Sequence, residues 1–452
     1  PQASTKSTLD SEARLEMQRT SRETVRALAP LLVLLLIAPL ASAQSLQEAV
    51  LECPGTVTGS TMPEQIHLQT TDEPSEMVAV WATDRRTDAE VEWNGQNAMG
   101  ESYCYNHDMA FHMATMTGLE PGEEVTYRVG DGNSWSEEMT FTTIDPTANR
   151  FEWISIADHG MSDEGLQVSD AILADTTAQM VTISGDISYA NGDQSAWDDY
   201  FDVNEASMQT IPWMTAVGNH ENEPGIGFEA YDHRFDADQT KEAEPHWYSR
   251  DVPGVHMVFM STEHGYDSAS SQFSWLKADL EAVDRDKTPF IVIIGHKPMY
   301  SSNSYHGSEI ALRDALEALY AENEVDLVIA GHDHFYERTH PVEAEQVEDA
   351  GKAPVHMVIG IGGRDSYEDL DEPAPEWSAY RENMTYGWTR LVYDGDTRTL
   401  SITHHRIDGT IGDEFTLYET QPAKKNDDGF MPGFGPLLPM LAMFGAAVRR
   451  LR

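Results

Sequence analysis

Five short apolar runs in this chain each end in residues that bind metals. Phe151 to Ala157 runs into Asp158-His159-Gly160, and Met180 to Ser184 into Gly185-Asp186-Ile187-Ser188-Tyr189. Ile211 to Val217 runs into Gly218-Asn219-His220-Glu221, Phe290 to Ile294 into Gly295-His296, and Val325 to Ala330 into Gly331-His332-Asp333-His334. A Gly-Asp or Gly-His pair is ordinary turn chemistry and says little by itself. Five in succession say more, because strands of an open α/β sheet present ligands beyond their carboxyl ends. Asp158, Asp186, Asn219, His296, His332 and His334 are therefore predicted to meet at one edge of a sheet. Oxygen and imidazole donors without thiolate suit iron, zinc or manganese. An ion held there would lower the pKa of bound water from about 15.7 to about 7, making hydroxide available near neutral pH.

The elements that must position these groups follow from patterning. The five runs alternate with helix-like stretches after an Asp145-Pro146 linker, which predicts an α/β domain over residues 146–420. Before the linker, Ile66 to Leu68, Met77 to Thr83, Ala89 to Trp93, Phe111 to Met116, Val125 to Val129 and Met139 to Thr143 alternate with period two between turn residues. That pattern predicts an antiparallel β-sandwich over residues 63–145. His159 sits beside Asp158 on a strand and so is expected to face away from it. His404 and His405, adjacent late in a probable strand, are expected to face opposite sides as core and surface residues rather than ligands. Asn383-Met384-Thr385 is a glycosylation sequon.

The ordered set Asp-x-Gly, Gly-Asp-x-x-Tyr, Gly-Asn-His-Glu, His and Gly-His-x-His resembles the metallophosphoesterases, and within them the purple acid phosphatases. The likeness runs from about Pro63 to Gly409 and takes in Gly331 to Arg338 (GHDHFYER) and Pro375 to Glu382 (PEWSAYRE). It implies a fibronectin type III-like sandwich followed by a four-layer αββα catalytic domain; Leu119-Glu120-Pro121-Gly122 resembles the corner between strands E and F of the former, with Val125 where the corner tyrosine is expected and Tyr127 two residues on. It implies hydrolysis of phosphate monoesters by a hydroxide shared between two metals, with a phosphodiesterase or nucleotidase on the same centre, or an inert surface binding protein, as alternatives. By the same resemblance Asp158, Asp186, Tyr189 and His334 hold one metal and Asp186, Asn219, His296 and His332 the other, Asp186 bridging. A phenolate from Tyr189 favours Fe(III), beside a divalent iron, zinc or manganese. His220 and His306 match the outer histidines that bind substrate phosphate and protonate the leaving alcohol; where plant members carry a further histidine this chain has Tyr305.

Composition sets the context. Of 452 residues 77 are Asp or Glu and 29 Lys or Arg, a formal net charge of −48. That excludes a surface gripping nucleic acid or anionic lipid by charge, while 40% hydrophobic residues exclude an acidic disordered chain. Self-repulsion of this size is screened at molar salt, where the Debye length is about 3 Å, so a salt-loving source is expected. Residues 1–43 read as a secretory signal, with Arg19, Arg22 and Arg26 before the apolar run Ala27 to Ala43, a start at Met17 and a cut after Ala43; residues 44–62 read as a leader. In residues 421–452, Pro432-Gly433-Phe434, an apolar stretch and Arg449-Arg450-Leu451-Arg452 resemble the Pro-Gly-Phe sorting signal of haloarchaeal surface proteins. That likeness implies an exported protein anchored by lipid at its C-terminus. Its two cysteines, Cys53 and Cys104, are free to pair in such a compartment.

Overall fold

The computed structural model describes residues 59–105, 109–235 and 246–419. The secretory signal, the Pro-Gly-Phe segment and Cys53 lie outside these residues. Cys104 is disulfide-bonded.

The first eight strands are β1 (Glu64–Thr70), β2 (Glu76–Thr83), β3 (Glu90–Trp93), β4 (Gln96–Met99), β5 (Glu101–Tyr103), β6 (Ala110–Thr117), β7 (Glu124–Gly130) and β8 (Met139–Thr142); β3, β7 and β8 alternate buried with more exposed residues, whereas β1 and β2 are buried nearly throughout. They form two antiparallel sheets, β1-β2-β6-β5 and β4-β3-β7-β8. Val125, Tyr127 and Val129 of β7 alternate with more exposed neighbours and share one core with Leu68, Trp81 and Met116 of the other sheet. Tyr127 carries a hydroxyl into that core and satisfies it by donating to the Gln209 carbonyl at 2.8 Å, across to the α/β part of the chain. Gln65 Nε2 donates to Asp198 at 2.7 Å and the Ile66 amide to Glu205 at 3.0 Å, tying β1 to the same region.

Next come β9 (Arg150–Ile156), α1 (Asp163–Ala174), β10 (Met180–Ser184), α2 (Ser195–Met208), β11 (Trp213–Ala216), α3 (Glu229–Phe235), β12 (Tyr248–Val252), β13 (Val255–Phe259), α4 (Ser271–Ala282), β14 (Phe290–Ile294), α5 (Ile310–Glu322), β15 (Leu327–Ala330) and β16 (Tyr336–Thr339). A small hairpin, β17 (Val342–Glu343) and β18 (Gln346–Val347), precedes β19 (Val355–Ile359), β20 (Ser378–Glu382), β21 (Gly387–Asp394), β22 (Thr399–Arg406) and β23 (Ile411–Tyr418). Two sheets result, β11-β10-β9-β21-β22-β23 and β12-β13-β14-β15-β19-β16-β20. Their central strands pair in parallel and are buried throughout, as in β10 (MVTIS) and β14 (FIVII), which is why those runs read as continuous rather than alternating.

Alternate residues of one strand serve different cores. Trp153, Met257 and Val292 meet in a cluster drawn from both sheets. Their neighbours turn outward: Ile154 packs with Val168 and Ile172 of α1, and Val258 and Ile293 with Leu276 of α4 and Leu316 of α5. The ligand-bearing runs accordingly do not share one sheet, as the sequence led us to expect. β9, β10 and β11 belong to the first and β14 and β15 to the second. A five-residue run buried on both faces fits either sheet, so pairing was not legible from hydrophobicity.

An ion cluster around the buried ring of His256 fixes the edge hairpin β12–β13. His256 Nδ1 lies 2.7 Å from Asp251 and Nε2 2.9 Å from Asp279 of α4. Burial disfavours the charged ring, but the two carboxylates outweigh it and lift the pKa to about 9. Because the folded value exceeds the ordinary 6.5, the stabilisation is complete below pH 6.5 and is lost as pH rises through 9. A shift of that size corresponds to about 3 kcal/mol. Thermal melts of wild type and His256→Asn should therefore differ most at pH 6 and converge above pH 10.

Candidate metal centre

The donor atoms predicted from the sequence converge in two adjoining nests. In the first, Asp158 Oδ1 lies 3.0 Å from the Tyr189 hydroxyl and 3.4 Å from His334 Nε2, and the last two are 3.1 Å apart. In the second, His296 Nε2 lies 3.2 Å from Asp186 Oδ2, 3.1 Å from Asn219 Oδ1 and 3.3 Å from His332 Nδ1. Ligand atoms of Asp186, His296 and His332 all fall within 4.8 Å of one another.

The outward nitrogens decide what these nests suit. His296 Nδ1 sits 2.9 Å from the Ser184 carbonyl, and His334 Nδ1 2.7 Å from the Asp365 carbonyl. A ring nitrogen facing a carbonyl carries the proton, so in the neutral ring each Nε2 presents a lone pair. His296 then aims that lone pair at the oxygens of Asp186 and Asn219, an assembly of acceptors with no donor. Only a cation or an added proton satisfies it, and backbone-anchored imidazoles of this kind are the usual way a protein orients metal ligands. Burial opposes charging His296, yet Asp186 and Asp158 prevail and raise it to about 10, so without metal a proton takes the cation's part. Burial and the neighbouring carboxylates Asp158 and Asp186 hold the Tyr189 phenol well above 10, so its phenolate likewise calls for a cation. The residues present therefore fit a pair of metal ions.

The backbone is bent to make this possible. Asp158, Asp186, Tyr189 and His332 all have left-handed φ, between 53° and 69°. Such conformations cost on the order of 1 kcal/mol each and persist where surrounding structure dictates them. Glycines before the ligands give the room: a Cβ on Gly331 would lie 2.3 Å from Asp158 Oδ2, and one on Gly218 2.3 Å from Asp186 Oδ1. Glu221, which the sequence offered only as the last letter of Gly-Asn-His-Glu, ties the two loops together. It is buried and accepts the backbone N–H groups of Gly218, Asp186 and Ile187 at 2.7–2.8 Å. A carboxylate beside a ligand-bearing turn was the signal that could have found it.

Around the nests stand the outer groups. His220 Nε2 is 3.8 Å from Asp186 Oδ2, its Nδ1 is 2.5 Å from Asn191 Oδ1, and the ring stays partly open to solvent. His306 is exposed, packs against the His332 ring at 4.3 Å between centroids and has Nε2 3.3 Å from the Tyr367 hydroxyl. Tyr367 in turn stacks on His334 at 4.4 Å. Arg364 lies 4.8 Å above the Tyr189 ring. Arg364 and Tyr367 escaped the sequence reading because they belong to a loop with no metal-binding motif; its backbone reaches the site through the Arg364 amide on the Asp158 carbonyl and the Tyr367 amide on the His334 carbonyl. His159 turns away as expected, to the Tyr200 hydroxyl at 2.8 Å and the Gly165 carbonyl at 3.0 Å. His404 is buried against Tyr336 and 3.0 Å from Glu382, whereas His405 stacks on Trp388.

Comparison with known proteins agrees with this geometry. The calcineurin-like phosphoesterase model matches residues 106–336, the purple acid phosphatase N-terminal domain residues 63–143, and the iron/zinc purple acid phosphatase-like protein C residues 353–414. Purple acid phosphatase 21 of Arabidopsis thaliana is 32% identical over 349 residues, covering 73% of this chain and 78% of its own. A purple acid phosphatase of Glycine max is 32% identical over 382 residues, covering 75% and 81%. Among solved structures, purple acid phosphatase PPD1 from yellow lupin seeds superposes with a TM-score of 0.73 at 22% identity, covering 80% of this chain and 75% of that one, a likeness of fold.

Proposed function

This chain belongs to the purple acid phosphatases among the calcineurin-like phosphoesterases, metal-dependent phosphomonoester hydrolases with a dinuclear centre, and we propose the residues by which it works. The observation that carries the reading is the convergence of Asp158, Tyr189 and His334 in one nest and of Asp186, Asn219, His296 and His332 in the other, the second with the His296 lone pair facing only carboxylate and amide oxygens. Asp158, Tyr189 and His334 would hold one ion, Asn219, His296 and His332 the other, and Asp186 both. The bound pair supplies water activated near neutral pH and neutralises charge on the phosphoryl oxygens. His220, kept in place by Asn191, faces the Asp186 side and binds a phosphoryl oxygen. His306, beside His332, gives its proton to the departing alcohol oxygen.

Several finer points support one another. The two sheets sharing one core at the N-terminus read as a fibronectin type III-like sandwich, and the paired mixed sheets flanked by helices as a four-layer αββα domain. The acidic composition, the leader and the Pro-Gly-Phe segment together read as an exported, lipid-anchored surface enzyme of a salt-loving organism, acting on small phosphate esters and not on nucleic acid.

Metal analysis together with paired assays at molar salt tests the activity. Turnover of p-nitrophenyl phosphate well above that of its bis ester is expected; the reverse would make the enzyme a diesterase, and turnover of neither would leave an inert binding protein. For Fe(III) beside iron, zinc or manganese, the expectation is a visible absorption band that Tyr189→Phe loses. A colourless active wild type holding only zinc or manganese would refute the iron assignment.

A further inference from the structure

We propose that Tyr305, backed by Tyr367, is a stacking platform for a planar aromatic leaving group, so that aryl phosphates are favoured over alkyl phosphates at this site. The inference rests on the phosphatase reading above. Tyr305 is 70% exposed, and a lone exposed aromatic is unremarkable; its position is what matters. Its ring lies 4.8 Å from Tyr367 and 4.5 Å from His306, centroid to centroid. Tyr367 is itself stacked at 19° on His334, and its hydroxyl reaches His306 Nε2 at 3.3 Å. The backbone that presents Tyr305 is fixed, its amide donating to Asn303 Oδ1 at 2.7 Å and the Ser304 amide to the Asp369 carbonyl at 3.2 Å.

A continuous run of rings thus leads from the first nest through Tyr367 to the open face of Tyr305, with His306 beside it. An ester whose leaving oxygen meets His306 carries its organic group towards that face. A flat ring can stack there in the offset or tilted geometry aromatic pairs prefer, whereas a short alkyl group covers little of it. The preference needs no change in the phosphate-binding residues, because Tyr305 makes no contact with the donor atoms of either nest among the described hydrogen bonds.

Calorimetry on the metal-loaded protein with phenylphosphonate and methylphosphonate tests this without requiring turnover. Tyr305→Ala should weaken phenylphosphonate by about tenfold, the size of one lost stacking contact, and leave methylphosphonate within about twofold. Tyr305→Phe, which keeps the ring, should match wild type. Equal weakening of both ligands, or an unchanged phenylphosphonate affinity, would overturn the proposal. Methylphosphonate binding by wild type reports on the phosphate site itself, so the two readings fail separately.

Discussion

Asp186→Asn is expected to lower kcat/KM by about 10⁴-fold or more, equivalent to at least about 5 kcal/mol of lost transition-state stabilisation. Asp186 is the one carboxylate assigned to both ions, and it is 1% exposed. Asparagine keeps the shape, and its amide oxygen can still accept the His220 backbone N–H that Asp186 Oδ1 receives at 2.8 Å. What disappears is the negative charge opposite His296 Nε2, 3.2 Å away. Two cations side by side then repel across a neutral bridge, and the second should leave. The variant should fold, because Glu221 still accepts the backbone amide of residue 186. Elemental analysis should find fewer than two ions per chain while the far-ultraviolet dichroism stays that of wild type. Two retained ions with near-normal turnover would remove Asp186 from its bridging role.

The loss should be larger than that of any outer histidine. A water activated by metal differs from bulk water by about 9 pK units, or about 12 kcal/mol, whereas a positioned general acid contributes about 10²–10⁴ in rate. Asp186 acts on the first quantity and His306 on the second.

The sequence carried the donors further than the scaffold. Asp158, Asp186, Asn219, His296, His332 and His334 were legible because each lies within a few residues of the end of a continuous apolar run, four of them directly after a glycine (Asp186, Asn219, His296 and His332), a local signal that needs no knowledge of pairing. The assignment of Tyr189 depended on family likeness, since a tyrosine in a loop is otherwise an ordinary buried aromatic. That β14 and β15 sit in a different sheet from β9, β10 and β11 was hidden, because parallel strands buried on both faces are chemically alike. Glu221, Arg364 and Tyr367 were hidden for another reason: their roles arise from backbone and ring contacts between segments far apart in the chain, such as Arg364 with Asp158 and Tyr367 with His334. The charge of −48 also changes in meaning. Bulk attraction cannot recruit an anionic ester to this protein, so attraction must be local to the nests, and salt that screens the surrounding field should help substrate approach as well as folding.

The second large effect separates the two outer histidines by leaving group. His306→Ala should slow hydrolysis of an alkyl phosphate by about 10²–10³-fold, because an alkoxide leaves poorly without a proton and a general acid accounts for a factor of this order. With p-nitrophenyl phosphate the same variant should lose only about tenfold, since nitrophenolate departs without protonation and has little use for the acid. His220→Ala should behave differently. Its ring lies 3.8 Å from Asp186 Oδ2 and is held by Asn191, whereas His306 has the Tyr305 and Tyr367 rings as its neighbours. A group that binds the phosphoryl oxygens serves every ester alike, so both substrates should slow by a similar factor and KM should rise. Steady-state kinetics on the two esters, for both variants, distinguishes the roles. If the leaving-group dependence appears in His220→Ala and not in His306→Ala, the two assignments must be exchanged: the proton then comes from the Asn191 side of the site, and His306 serves to bind phosphate beside His332.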